Sequence, residues 1–168
     1  RGEPIGFSQK DVTWTGSSIE ARLYAEDPDN DFLPEIGTLI AFEESDSAEA
    51  RWDTGVKTGT VVGTDFDPML AKIISFAPNR TDAASKLAKA LQSAHIGGVK
   101  TNRDFLINCL NTEEFIKGDT TSDFIERVNP SRKLEIEEDE IDHVLAIAAL
   151  WIQQNNRDNA DLAKFMQS

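Results

Sequence analysis

The chain has one cysteine, two histidines, one tyrosine and few aromatic residues of any kind, 8% of its 168 positions. A lone Cys109 excludes an internal disulfide, and its neighbours Phe105, Leu106 and Leu110 point to a buried, unreactive thiol. Two histidines with one cysteine exclude an ordinary zinc set, and no protein-bound metal is expected. No apolar run approaches the roughly 18 residues of a membrane span, and nothing at the start resembles a signal peptide. Basic residues are also scarce: 17 Lys and Arg stand against 30 Asp and Glu, for a net charge of -13. So acidic a surface repels nucleic acid and anionic membranes. Neither a Gly-x-Ser-x-Gly nucleophile turn nor a Gly-x-x-x-x-Gly-Lys phosphate loop occurs; Gly98-Val-Lys-Thr101 only echoes the latter.

What is present is a polar face on an apolar strand. Over residues 19–26, Ile19, Ala21, Leu23 and Ala25 alternate with Glu20, Arg22, Tyr24 and Glu26, so one side faces a core and the other a working surface. Read from the residues alone, Arg22 is either a functional cation or an exposed partner of Glu20 or Glu26. Turn residues such as Gly16, Pro34, Gly37, Gly55, Gly59 and Gly63 punctuate further short strands over residues 38–43 and 49–53, and the nearly continuous apolar run 69–76 reads as a central strand or one entering the core. Lys72 within it is a paired core charge or one that snorkels to the surface.

After Arg80 the period changes to that of a helix. Ala84, Leu87, Ala88, Leu91 and Ala94 share one face, which predicts a helix over 81–95 capped by Thr81 and stopped by Gly97 and Gly98. Thr101 offers a cap for a second helix, and Ser122 one for a short turn through Phe124 and Ile125. Beyond Asn129 and Pro130, the acids Glu135, Glu137, Glu138, Asp139 and Glu140 precede a long amphipathic helix over about 138–155. Such an acid run is a solvated helix start more often than a metal site. The fold class is therefore α+β: an antiparallel, barrel-like sheet in the N-terminal half, helices packed on it, and a C-terminal amphipathic helix. Asp27-Pro-Asp-Asn-Asp31 opens like a calcium loop but has Phe32 where glycine and Thr38 where glutamate belong, so it reads as an aspartate-rich turn. Asn79-Arg80-Thr81 is formally a glycosylation sequon, discounted in a chain expected to be soluble and intracellular. The ends suggest a piece of a longer polypeptide.

Three segments together carry a resemblance. Gly16-Ser-Ser-Ile-Glu-Ala-Arg-Leu-Tyr-Ala-Glu-Asp-Pro28 with Phe32-Leu-Pro34, then Asp65-Phe-Asp-Pro-Met-Leu-Ala-Lys72, then Gly98-Val-Lys-Thr-Asn102, resemble the C-terminal domain of biotin carboxylases in order and spacing. The resemblance covers about residues 1–128. Residues 129–168, with Ala148-Ala-Leu-Trp-Ile-Gln-Gln-Asn-Asn-Arg157, are similar to the truncated start of the segment that leaves this domain in the alpha subunits of acyl-CoA carboxylases. The resemblance implies an ATP-dependent ligase that carboxylates carrier-bound biotin with bicarbonate, located in the cytoplasm or, in a eukaryote, the mitochondrial matrix. ATP and Mg2+ would be bound by a preceding ATP-grasp lobe, whose motifs are absent here, and the fragment alone would be inactive. Arg22 matches the catalytic arginine, with Glu20 expected to orient it and Phe66 and Asp67 expected near biotin. Arg51 matches a subunit-interface position; the alternative is a solvated strand charge. The implied partners are a biotin carboxyl carrier domain, a carboxyltransferase subunit and a possible second copy.

The chain departs from the family in three places. Ser17 and Ser18 replace His-Ala, Phe66 replaces tyrosine, and Ala48 stands where dimeric bacterial members have phenylalanine, which argues against the simple dimer. Competing readings are a non-catalytic module that docks carboxylase subunits, and the equivalent domain of a pyruvate or urea carboxylase.

Overall fold

A computed structural model describes residues 2–45, 50–135 and 138–165; the first two and last eight positions of the final helix are described by backbone alone. Ala48, Glu49 and Glu137 lie outside the described residues. In chain order the strands are β1 (Ser17–Tyr24), β2 (Glu26–Asp27), β3 (Leu33–Pro34), β4 (Gly37–Thr38), β5 (Ala41–Glu43), β6 (Ala50–Thr54), β7 (Val61–Val62), β8 (Met69–Ala77) and β9 (His95–Gly97). The helices are α1 (Arg80–Gln92), α2 (Arg103–Leu110), α3 (Glu113–Lys117), α4 (Phe124–Val128) and α5 (Glu138–Phe165). The chain divides into two compact units, residues 1–134 and 135–168.

In the first unit β8 is the central strand of a three-stranded antiparallel sheet of order β1-β8-β6. The alternation of β1 holds: Ile19, Ala21 and Leu23 are buried, while Glu20 and Arg22 are exposed. On the apolar side, Ala71, Ile73 and Ala77 of β8 meet Ala83, Ala84, Leu87, Ala88 and Leu91 of α1 in one core. The many alanines let helix and sheet approach closely, and the buried Ser75 hydroxyl is satisfied by donating to the Ala83 carbonyl at 2.8 Å. The strand-rich half is divided into that sheet and three two-stranded antiparallel pairs, β2-β3, β4-β7 and β5-β9.

Several local expectations shift. The single strand over 38–43 is two short ones, because Leu39 and Ile40 leave the ladder to bond the Thr60 and Gly97 carbonyls. Asn79, not Thr81, caps α1: its side-chain oxygen accepts from the Asp82 N–H at 2.9 Å, and its amide donates to the Asp82 carboxylate. The helix stops at Gln92, and His95–Gly97 pairs with Ala41–Glu43 as a strand too short to show a period. Asn102 rather than Thr101 occupies the N-cap position of α2, and Asp123 rather than Ser122 that of α4. The predicted second helix is followed by α3, capped by Thr112. Residues 129–134 belong to the first unit, where Asn108 donates to the Ser131 and Lys133 carbonyls. In the second unit α5 runs ten residues beyond its predicted end, there being no glycine or proline after Pro130 to stop it. None of the helices, among the described residues, is long and apolar enough to cross a membrane.

Gly98 shows why its motif needs glycine. Its φ is +108°, and a Cβ there would stand 2.1 Å from the Thr38 carbonyl oxygen and 2.7 Å from the Ile40 nitrogen. Gly98→Ala is expected to destabilise the domain by roughly 3 kcal/mol or more, read as a lowered urea midpoint. Cys109 is half-buried rather than buried, and its surroundings push the thiol from 9.0 up to about 11, chiefly by desolvation against the opposing pull of Arg132. At pH 8 its alkylation should run about a hundredfold slower than that of an unperturbed thiol, with the gap closing as pH rises through 11.

Candidate functional site

The polar face of the three-stranded sheet is the natural site. Its cross-strand register places Arg22 opposite Lys72, and Lys72 opposite Asp53; one step along, Glu20 faces Ile74 and Ile74 faces Arg51. Arg22 and Arg51 thus share a face, with β8 between their strands and about 10 Å of sheet from β1 to β6. The Arg22 side chain is 62% exposed and turned away from the core, with its Nε 3.5 Å from Glu20 Oε1. Hydrogen bonding to Tyr24 and then to Glu20 raises the guanidinium still further above its already high value, so its charge is permanent. Arg51 pairs with Asp53 at 3.0 Å in a similarly exposed setting. Lys72 is half-buried between Arg22 and Asp53 in register.

Beyond β1 the chain continues through Ala25, whose N–H donates to the Pro68 carbonyl at 2.9 Å, while Met69 sits opposite Tyr24. This junction joins the sheet face to a cavity of about 490 Å3 lined by Val56, Val61, Val62, Phe66, Asp67 and Met69, among others. Phe66, 88% exposed, stands at its margin. Asp67 accepts from the Met69 N–H at 2.9 Å and so fixes the entry to β8. Arg22 does not line the cavity. Glu26 sits half-buried nearby; burial and, less strongly, the Asp67 charge raise its carboxyl, against a lowering by a hydrogen bond with the Asn102 side chain.

Glu20 and Arg22 are therefore brought into contact, whereas Phe66 and Asp67 stand at the adjacent cavity. Residue-level reading missed the roles of Tyr24 and Asn102. Tyr24 carried a signal, being on the Arg22 face; Asn102 had only its place in the third motif. The buried Asn102 accepts from the Tyr24 N–H at 2.9 Å and donates to the Arg22 carbonyl at 3.2 Å. The aspartate-rich turn is a turn: Asp27, buried and ion-paired with Lys100, accepts from the Asp29 N–H, and Asp29 pairs with Lys133 at 2.6 Å. The hydrogen bond from Lys100 holds the Asp27 carboxyl below the usual carboxylate range.

Known proteins fit this geometry. The profile described as "Biotin carboxylase C-terminal domain" matches residues 20–127. The alpha subunit of mitochondrial methylcrotonoyl-CoA carboxylase from Rattus norvegicus is 41% identical over 74% of this chain and 18% of its own length. The propionyl-CoA carboxylase alpha chain of Ruegeria pomeroyi is 35% identical over 88% of this chain and 25% of its own. Among solved structures, the biotin carboxylase domain of a thermophilic 2-oxoglutarate carboxylase bound to bicarbonate superimposes with a TM-score of 0.73 at 33% identity, covering 76% of this chain and 29% of that one. The chain thus spans under a third of the length of each. A strand that buries Ile19, Ala21 and Leu23 while presenting Arg22, set against such relatives, places the chain in the biotin carboxylase C-terminal domain family.

Proposed function

We propose that this domain serves an ATP-dependent biotin carboxylase within an acyl-CoA carboxylase, and that Arg22 is its catalytic residue here. The observation that carries the reading is an exposed, permanently charged guanidinium on the outward face of a strand paired in register with β8, with Glu20 beside it at 3.5 Å. Biotin, when bound on its carrier domain, supplies the ureido nitrogen that takes up the carboxyl group from activated bicarbonate. Arg22 would hold positive charge by the ureido oxygen, where electron density would grow as that nitrogen loses its proton. An ordered cation suits this role because it need not reorganise at the moment of reaction. Glu20 lies beside the guanidinium at 3.5 Å as its ion-pair partner, and Phe66 and Asp67, which line the adjacent cavity, would border the biotin approach. The residues present fit a ureido oxygen. ATP with Mg2+ would belong to the preceding lobe that the family resemblance implies. Arg51, exposed on the same sheet face and paired with Asp53, would contact a second copy where one binds and is otherwise a solvated strand charge.

A second, assembly role rests on α5, where Val144, Leu145 and Trp151 are exposed apolar side chains. This helix would contribute to docking the carboxyltransferase subunit. Deleting residues 135–168, which leaves the first unit whole, from the full-length protein should then shift the complex to smaller species in light scattering; an unchanged mass would remove the docking role.

In the full-length protein, Arg22→Ala is expected to lower kcat for biotin carboxylation by about a hundred- to thousandfold, the order seen when one preorganised charge-stabilising donor is removed, with ATP binding retained. Unchanged turnover would refute the assignment. The isolated domain should show no ATP hydrolysis.

A further inference from the structure

β1 is an edge strand of the three-stranded sheet: its inner edge pairs with β8, and the Arg22 carbonyl and Tyr24 N–H point to the outer edge. In an extended chain those two groups, two residues apart, project in the same direction and seek the peptide group of a neighbouring strand. No strand takes that place among the described residues. The side-chain amide of Asn102 does so instead. Its oxygen accepts from the Tyr24 N–H at 2.9 Å and its NH2 donates to the Arg22 carbonyl at 3.2 Å, while its backbone N–H donates to the Tyr24 carbonyl at 3.2 Å. The same side chain helps to hold the Glu26 carboxyl down against the upward push of burial, so one buried amide bonds the backbone at residues 22 and 24 and acts on the next position of the polar face.

Asn102 forgoes its ordinary local role to do this. It holds the N-cap position of α2, where an asparagine side chain usually accepts from the helix's first N–H groups, yet it makes no such bond. Its carbonyl still accepts from the Leu106 N–H at 3.0 Å, so α2 starts from Asn102 and β1 is tied to that start. The main chain that carries Arg22 is therefore held between β8 and α2.

We propose that Asn102 is a positioning residue for Arg22: its side-chain amide stands in for a strand's peptide group and sets the height and direction from which the guanidinium leaves β1. This rests on the reading of Arg22 as catalytic. A displacement of a charge-stabilising group by about 1 Å costs on the order of a hundredfold in rate, so a side chain that never touches biotin can govern turnover.

The test is a double-mutant cycle in the full-length carboxylase, with free biotin, ATP and bicarbonate as substrates. The variants are Asn102→Ala, Asn102→Asp, Arg22→Ala and the Arg22→Ala/Asn102→Ala pair. Asn102→Asp keeps the acceptor for the Tyr24 N–H but loses the donor to the Arg22 carbonyl. Both Asn102 variants should lose tenfold or more in kcat, with KM for ATP within about twofold of the parent. In the Arg22→Ala background, Asn102→Ala should cost less than a further twofold, because its effect passes through the missing guanidinium. Losses that multiply in the double variant, or kcat above half the parent value in either Asn102 variant, would overturn the proposal. So would loss of the cooperative thermal transition in both, which would assign Asn102 to the scaffold alone. If Arg22→Ala retains full turnover, it is the catalytic assignment that fails; if Arg22→Ala is crippled but the cycle is additive, only the positioning role fails.

Discussion

Eight residues of β1 run antiparallel against β8, and that register decides which of its side chains meet solvent. A slip of one residue would turn Arg22 into the core and Leu23 out of it, since side chains alternate with period two. The slip is opposed from the apolar side, where Ile19, Ala21 and Leu23 are buried in the core shared with α1. It is opposed at the outer edge by the Asn102 amide, which fits only one setting of the Arg22 carbonyl and Tyr24 N–H. Arg22 depends on this pairing more than on any bond its own side chain makes, because an exposed guanidinium gains little from one ion pair at 3.5 Å.

The turn after β2 shows how an acidic chain manages its own charge. Asp27 is buried, and Lys100, from the same motif as Asn102, is its ion-pair partner. Phe32 and Phe105 meet edge to face at 4.9 Å, and the Arg132 guanidinium lies about 5 Å from both rings. These contacts tie the turn, α2 and residues 129–134 into one unit. The three motifs, far apart in sequence, therefore meet along β1: the first supplies the strand, the second its partner β8, the third the groups that close its outer edge and brace its end.

Much of this was legible from residue order. The alternation along β1, the central place of β8 and the apolar face of α1 are periodic patterns that burial imposes on any sequence forming them. The sheet face of Arg22 was legible for the same reason, as was its nearness to Glu20. The ends of elements were less so. Thr81 and Asn79 are both good caps, and only the path of the chain out of β8 decided for Asn79. The strand His95–Gly97 has three residues, too few for a period, and exists because Ala41–Glu43 lies beside it.

By itself the sequence determined the two-sided character of β1, the helical period after Arg80 and the absence of metal-binding and phosphate-binding patterns, since each follows from residue types at fixed local spacing. Only the tertiary structure decided that Asn102, 80 residues after Arg22, donates to the Arg22 carbonyl, that Lys72 stands across from Arg22, and that Phe66 and Asp67 border a neighbouring cavity instead of touching the guanidinium. The physical reason is that hydrogen bonds and ion pairs between distant segments depend on where the chain returns, and no local period encodes that return.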